Sequence, residues 1–238
     1  MEQSLVTPPK FDLRQKVFLV LAALQITSLI VANMIGVKLF SVEVAGIPVE
    51  HTAGMLPFPI TFLLTDLINE FYGNKAARMI AWIAFGMALF AFILVAVARL
   101  LPILEGIPGT ADEHSFEVVF GNSALMTICS IIAFLFGSLL DIAVFTFFKR
   151  ITNGKMVWLR ATGSTVVSQL FDSFVITILY FQVAQGLTGG QVAGIDFVLR
   201  TALTGYILKF VIAVILTPAM YACRAFLRRV VKLEPLPA

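Results

Sequence analysis

Charge is what this chain has least of. Aspartate, glutamate, lysine and arginine together make up 13% of its 238 residues, against 59% apolar residues. Soluble domains carry about 25% charged and about 45–50% apolar residues. A water-soluble globular domain is therefore excluded, and a mean hydropathy of +0.96 points to a polytopic membrane protein. Cysteine is scarce as well. Cys129 and Cys223 both fall in apolar runs, where free thiols serve as small hydrophobes, and they make poor disulfide candidates. The sequence has no C-x-x-C, no H-E-x-x-H and no G-x-x-x-x-G-K-[ST], so it offers no support for a resident metal, a cofactor or a built-in ATPase. A small-residue cleavage site is missing ahead of the first apolar run, which reads as a first membrane helix and not a removed signal peptide. The pI of about 9.0 does not argue for nucleic acid as a direct partner, because the basic residues are scattered between apolar runs, where they set topology.

What is abundant is long apolar runs. Crossing a bilayer needs about 20 mainly apolar residues. Six segments qualify: Val17–Phe40, Ala53–Phe71, Ala76–Leu101, Ser123–Phe148, Ala161–Ala184 and Phe197–Cys223. Lipid leaves no partner for an open strand edge, so all six are expected to be helices. The fold class is all-α, a polytopic protein with six transmembrane helices occupying residues 17–223. Residues 1–16 form an N-terminal segment and residues 224–238 a C-terminal tail, whose end KLEPLPA reads as disordered.

The basic residues segregate. One set of flanks holds Arg14, Lys16, Lys75, Arg78, Lys149, Arg150, Arg160, Arg224, Arg228 and Arg229. The opposite flanks hold Lys38, Arg99 and Arg200 among acids such as Glu43, Asp112, Glu113 and Glu117. The excess of lysine and arginine places both termini in the cytoplasm. The longest connection, around residues 102–122, reads as a solvated loop with a short surface helix near Glu113–Phe120. His51 and His114 read as ordinary loop residues.

The informative stretch is Pro57–Gly73, PFPITFLLTDLINEFYG. Gly54, Pro57 and Pro59 interrupt its outer half, as in a broken or re-entrant entrance helix; Pro59 is read as structural. Asp66 and Glu70 then stand one turn apart on one helix face. An acid at membrane depth is costly and by default marks a polar interior or a substrate path. Others join it: Asn33 and Gln25 in the first span, Asp141 in the fourth, Gln169 and Asp172 on one face of the fifth, Tyr206 and Lys209 in the sixth. Asp172 and Lys209 share a depth and are expected to pair, since a buried pair costs far less than either charge alone. The alternative for that pair is a role in helix packing only. Asp141 is expected either to anchor topology through Lys149, Arg150 or Arg78, or to act at the site. Glu70 and Arg78 flank a tight turn at Gly73 and read as its lock, with ligand contact open for Glu70. Spans two and five occupy matching places in opposite directions, which suggests a 3+3 inverted repeat with a midplane site. Carboxylates, amides and aromatics such as Phe62, Phe71, Phe171 or Tyr206 converging in a cavity suit a small polar planar or cationic solute.

The runs TFLLTDLINEFYGNKAAR, GSLLDIAVFTFFKR, WLRATGSTVVSQLFDS and GYILKF resemble the queuosine precursor transporter (VUT/YhhQ) family over nearly the whole chain. The resemblance implies a non-enzymatic role. It implies uptake of 7-cyano-7-deazaguanine and 7-aminomethyl-7-deazaguanine across the bacterial inner membrane, for the queuosine modification of tRNA. Family positions present here are Asn33, Asp66, Glu70, Gly73, Arg78, Asp141, Ser164, Gln169, Asp172 and Lys209. Some relatives carry other side chains at Glu70 and Gln169. The substrate site expected from residues and resemblance together is Asn33, Phe62, Asp66, Glu70, Gln169, Asp172, Tyr206 and Lys209, with Pro59, Gly73, Arg78 and Asp141 structural or gating. A secondary or facilitative carrier is the expected mechanism. The alternative is the substrate-binding membrane subunit of an energy-coupling-factor-type vitamin importer. A homodimer through glycine-bearing helix faces stays open.

Overall fold

The computed structural model describes residues 11–44, 47–104, 107, 110–121, 124–153, 156–187, 189 and 192–236. Among these, helix dominates. α1 spans Leu13–Ile35 and starts where a capping box forms: Asp12 Oδ1 accepts the Gln15 backbone N–H at 2.7 Å, and Gln15 Oε1 accepts that of Asp12 at 3.0 Å. α2 spans Phe58–Ala98, α3 Glu113–Phe116, α4 Ala124–Ile151, α5 Val157–Ile178, α6 Gln185–Leu187 and α7 Ile195–Arg229. A wide π-helical turn at Leu179–Ala184 joins α5 to α6, and another, Glu117–Gly121, follows α3. Five helical runs are long and apolar enough to cross a membrane, and bulky apolar side chains such as Leu24, Trp82, Phe90, Phe136 and Ile215 cover their outer faces. The protein is a multi-pass membrane protein with a nearly all-helical fold.

Two departures from the sequence reading concern elements. The fold is not purely α-helical. β1 (Leu39–Val44) and β2 (Ile47–Thr52) form an antiparallel hairpin with Leu39 opposite Thr52 and Val44 opposite Ile47. The first span was drawn to Phe40, but α1 ends at Ile35 and Gly36. The physical reason lies in LFSVEV and IPVEHT, where β-branched and apolar residues alternate with polar ones at the strand period of two. Outside lipid such a pair closes its own hydrogen bonds. The chain tail is the second departure. Lys232 adopts φ 59, and the backbone N–H of Leu233 reaches the Leu227 carbonyl at 3.0 Å. Leu233 is buried in the core, and the Leu236 N–H reaches the Glu70 carbonyl at 3.0 Å. The two leucines of KLEPLPA supply apolar area that pure composition did not weigh; residues 237 and 238 lie outside the described set.

α2 is two arms. Gly73 inside it has φ 86 and ψ 170, a backbone conformation open essentially to glycine alone. Phe58 and Phe92, from opposite ends of α2, pack on one cluster with Leu29, Ala84, Ala88, Ile131 and Phe134. Phe71, Ala77 and Ile80, either side of Gly73, belong to the other cluster with Leu21, Ile142, Phe145 and Leu227. The arms therefore run antiparallel and meet at the end of the molecule where Arg14 donates to the Phe71 carbonyl at 2.6 Å. α4 packs on α5 and α2, α1 on α2, and α5 on α7. At the far end a 3-10 turn, Ala53–Met55, leads into the first arm. Gly54 sits so close to α1 that a Cβ there would stand 2.4 Å from the Ala32 carbonyl oxygen. Pro57 and Pro59 occupy the helix start, where a missing N–H costs nothing.

Candidate functional site

The first arm of α2 buries Thr61, Thr65, Asp66, Asn69 and Glu70 on one stripe at helical spacing. α5 answers with Arg160, Ser164, Ser168, Gln169, Asp172, Ser173 and Thr177, all buried. Facing stripes of this kind build a polar column between apolar helices. Its levels follow from residue order along α2, α5 and α7.

At the hairpin end lies a cavity of about 220 Å³, whose wall includes Asn33, Ser130, Asp172, Tyr180, Phe181 and Lys209. Asn33 donates from Nδ2 to the Leu29 carbonyl at 3.0 Å, leaving its amide oxygen for the cavity side. The floor is an ion pair. Lys209 Nζ stands 2.5 Å from Asp172 Oδ2 and 4.6 Å from the centre of the Phe58 ring. The pair expected from shared depth is present. A cation on a ring face and a carboxylate is held from two directions.

Below that floor is a second, smaller cavity of about 40 Å³ between α2, α5 and α7. Phe58, Pro59, Phe62, Asp66, Gln169 and Lys209 are on its wall. Lys209 and Phe58 thus face both cavities and form the partition between them. Asp66 Oδ1 and Gln169 Oε1 are buried without a hydrogen-bond partner within the protein. Both residues are nearly inaccessible, at 4% and 3% exposure. Buried polar atoms are normally satisfied, so unpartnered acceptors on two residues that line one small cavity mark a place for a guest's donors. Phe62 packs edge-tilted on Phe58 at 5.3 Å and supplies the apolar wall.

Deeper still, the Asp66 carboxyl meets that of Asp141 from α4 within hydrogen-bonding reach. Ser168 Oγ donates to Asp141 Oδ1 at 3.0 Å. One turn on, Asn69 Nδ2 donates to the Ile142 carbonyl at 3.3 Å and fixes α2 against α4. Gln25 from α1 donates to Thr65 Oγ1 at 2.8 Å behind this group.

The column closes at Glu70, which is 1% exposed. Its carboxylate takes Arg160 at 2.5 Å, Arg224 at 3.1 Å and Lys149 at 3.4 Å. Arg160 also lies over the Phe145 ring at 5.6 Å. The Leu233–Leu236 tail covers this level from outside.

The sequence-derived residues divide accordingly. Asn33, Phe62, Asp66, Gln169, Asp172 and Lys209 reach one or other cavity wall. Tyr206 does not: its ring lies against Phe210 at 6.3 Å, away from both walls. Phe171 is exposed on the outer face, and Phe71 is core. Glu70 is closed off by three cations, and Arg78 is exposed instead of locking the Gly73 turn with it. Asp141 is held by Ser168, while Lys149 goes to Glu70. In the sequence Arg160 and Arg224 read only as topology markers, and Lys149 as a candidate partner of Asp141 and not of Glu70. The fifth apolar span had been started at Ala161, one residue after Arg160, whereas α5 begins at Val157. A lone Glu70 at a helix end needing compensation was the available signal.

A buried polar column with cavities on either side of an ion pair, inside apolar helices, has the form of a membrane transporter. The chain belongs to the family described as "Putative vitamin uptake transporter", whose model matches residues 52–223. It is similar to the "Probable queuosine precursor transporter" of Bacillus subtilis (strain 168), 32% identical over 195 residues, with 81% of this chain and 78% of the relative covered. The "Probable queuosine precursor transporter" of Haemophilus influenzae (strain ATCC 51907 / DSM 11121 / KW20 / Rd) is 29% identical, over 72% of this chain and 67% of that one. The "Queuosine precursor transporter" of Escherichia coli (strain K12) is 25% identical, over 72% of each chain. No solved structure matches.

Proposed function

We propose that this protein imports queuosine precursors, 7-cyano-7-deazaguanine and 7-aminomethyl-7-deazaguanine, across the bacterial inner membrane as a secondary or facilitative carrier. The observation that carries this reading is that Asp66 and Gln169, both lining the small cavity beside Lys209, each keep a buried acceptor, Oδ1 and Oε1, without a partner within the protein. A guanine-like base presents a ring N–H beside an amino group, which a carboxylate accepts as two parallel bonds. Asp66 is the carboxylate for that edge, because Glu70 and Asp172 are already engaged by cations. Gln169 Oε1 accepts a further N–H of the base, the Lys209 ammonium serves the ring carbonyl, and Phe58 or Phe62 lies against the ring. Asn33 belongs to the outer vestibule, where the base first arrives.

The topology fits. Counting the two arms of α2 separately gives six crossings, with both termini on the cytoplasmic side. Support comes from Arg14, Lys149, Arg160 and Arg224, which gather at one end of the molecule, as lysine and arginine do on cytoplasmic flanks. Asp66 and Asp172, at matching places in the two three-span halves, face cavities on either side of one partition. The larger cavity lies at the outer end, and the inner end is sealed, so the resting carrier faces outward. The same arrangement in one chain or in a homodimer serves equally.

Uptake of labelled 7-cyano-7-deazaguanine, in a strain unable to make it, tests the assignment. Asp66→Asn, Gln169→Ala and Asp172→Asn are each expected to lower uptake about tenfold or more, since a hydrogen bond to a charged group contributes roughly 1.5–3 kcal/mol. Undiminished uptake by all three at normal expression would sink the site.

A further inference from the structure

Nothing in a facilitative carrier requires Asp141. It reaches neither cavity wall, yet it is fully buried, at 0% exposure, and sets its carboxyl against that of Asp66 from another helix. Two ionised carboxylates in such a place repel one another strongly, and in this closed-in arrangement one of them carries a proton between the two. Two further observations point to an exchangeable proton. Neither Asp141 Oδ2 nor Asp66 Oδ1 has a hydrogen-bond partner within the protein, and Asp66 itself lines the small cavity together with Gln169. The pair therefore has one member in contact with the transport path and one member behind it.

We propose that Asp66 and Asp141 together bind one proton, which the carrier moves inward with each molecule of base. Arg160 from α5 acts electrostatically on Asp66, which leaves the proton to Asp141. Glu70, one turn along α2, is neutralised by Arg160, Lys149 and Arg224 and does not compete for the proton. From α5, Ser168 steadies Asp141 by donating to Oδ1, and Gln169 flanks Asp66. From α7, Lys209 is spent on Asp172, so no ammonium is left over to take the proton's place at Asp66. From α1, Gln25 reaches the column through Thr65. When the base arrives, its N–H groups need Asp66 as a carboxylate. The shared O–H then belongs to Asp141, with its hydrogen bond to Asp66 kept. Base and proton are thus bound together, and the loaded site is one charge less negative than two bare carboxylates would be. On the inward side, loss of the base leaves Asp66 free to relay the proton to water. Coupling rests on the base-carrier reading above; the proton site itself does not.

Two measurements decide it. The first is infrared spectroscopy of the full-length protein in lipid nanodiscs at neutral pH. Wild type should show a protonated-carboxyl band that is lost in both Asp66→Asn and Asp141→Asn. Where an asparagine variant does not fold, Asp141→Glu keeps the acid and should shift the band. An absent band, a band surviving both asparagine variants, or a band unmoved in Asp141→Glu overturns the proton site whatever the protein transports. The second uses proteoliposomes and labelled 7-cyano-7-deazaguanine. Wild type should accumulate about tenfold more base per unit of inside-alkaline pH gradient, the ratio for one proton per base. Asp141→Asn should lose that response. Base exchange by the wild type with no effect of the gradient overturns coupling and leaves the base reading standing. No base exchange by the wild type overturns the base reading and coupling with it.

Discussion

Lys209 is the residue on which most of the column depends. It has a carboxylate on one side, a ring on the other, and a cavity above and below. Breaking a buried pair leaves an uncompensated charge at a cost of about 3–5 kcal/mol. Lys209→Met should therefore lower thermal stability in detergent, and Asp172→Asn combined with Lys209→Met should recover part of the loss. A double-mutant cycle on melting temperatures measures this, and strictly additive losses would contradict the pairing. Glu70 predicts the opposite asymmetry. Glu70→Gln leaves Arg160, Lys149 and Arg224 facing one another at the inner end. Its loss should exceed that of Arg224→Gln, since Arg224 is the more exposed partner, at 20% against 1% for Arg160. Ranking the two variants by melting temperature checks it.

At the scale of elements the decisive position is Gly73. A side chain there meets both a disfavoured backbone, at φ 86, and Leu236 Cδ1 at 3.1 Å. Gly73→Ala should cost about 1–3 kcal/mol, the usual range for a residue forced into such a conformation. Denaturation in mild detergent would show it, and an unchanged midpoint would mean the turn takes another shape. Much at this scale was legible beforehand. The multi-pass helical character, the turn at Gly73 and the short helix near Glu113 all follow from local composition, whereas Pro57 and Pro59 start α2 and do not break it. The hairpin at Leu39–Thr52 was missed because an apolar run was extended through residues whose alternation has the period of a strand. Of the site, the Asp172–Lys209 pair was readable because depth along two adjacent spans is a one-dimensional quantity. The partners of Glu70 were not. Which of several cytoplasmic cations turns inward depends on helix rotation and on where α5 begins, and neither is written in a hydropathy pattern. Tyr206 lies beside Phe210 and not on either cavity wall for the same reason, since a residue one turn before Lys209 need not share its face across a tilted contact.

The whole molecule is asymmetric along the membrane normal. A vestibule of about 220 Å³ lies at one end, whereas the other end is closed by one acid, three bases and the packed Leu233–Leu236 segment. Passage through the closed end requires those contacts to part. Removing residues 233–238 should accelerate efflux of base from preloaded proteoliposomes more than it changes equilibrium binding, because it thins the seal and leaves both cavity walls intact. Efflux rates equal to those of the full chain would show that the segment is not part of the seal.

That segment has a practical side. Leu236 holds the Glu70 backbone by a single N–H bond, two residues before the final alanine of the sequence. A fluorescent reporter or purification handle fused there would tug on the plug each time it tumbles. Kinetics recorded on such a fusion would describe a leakier valve than the untagged chain.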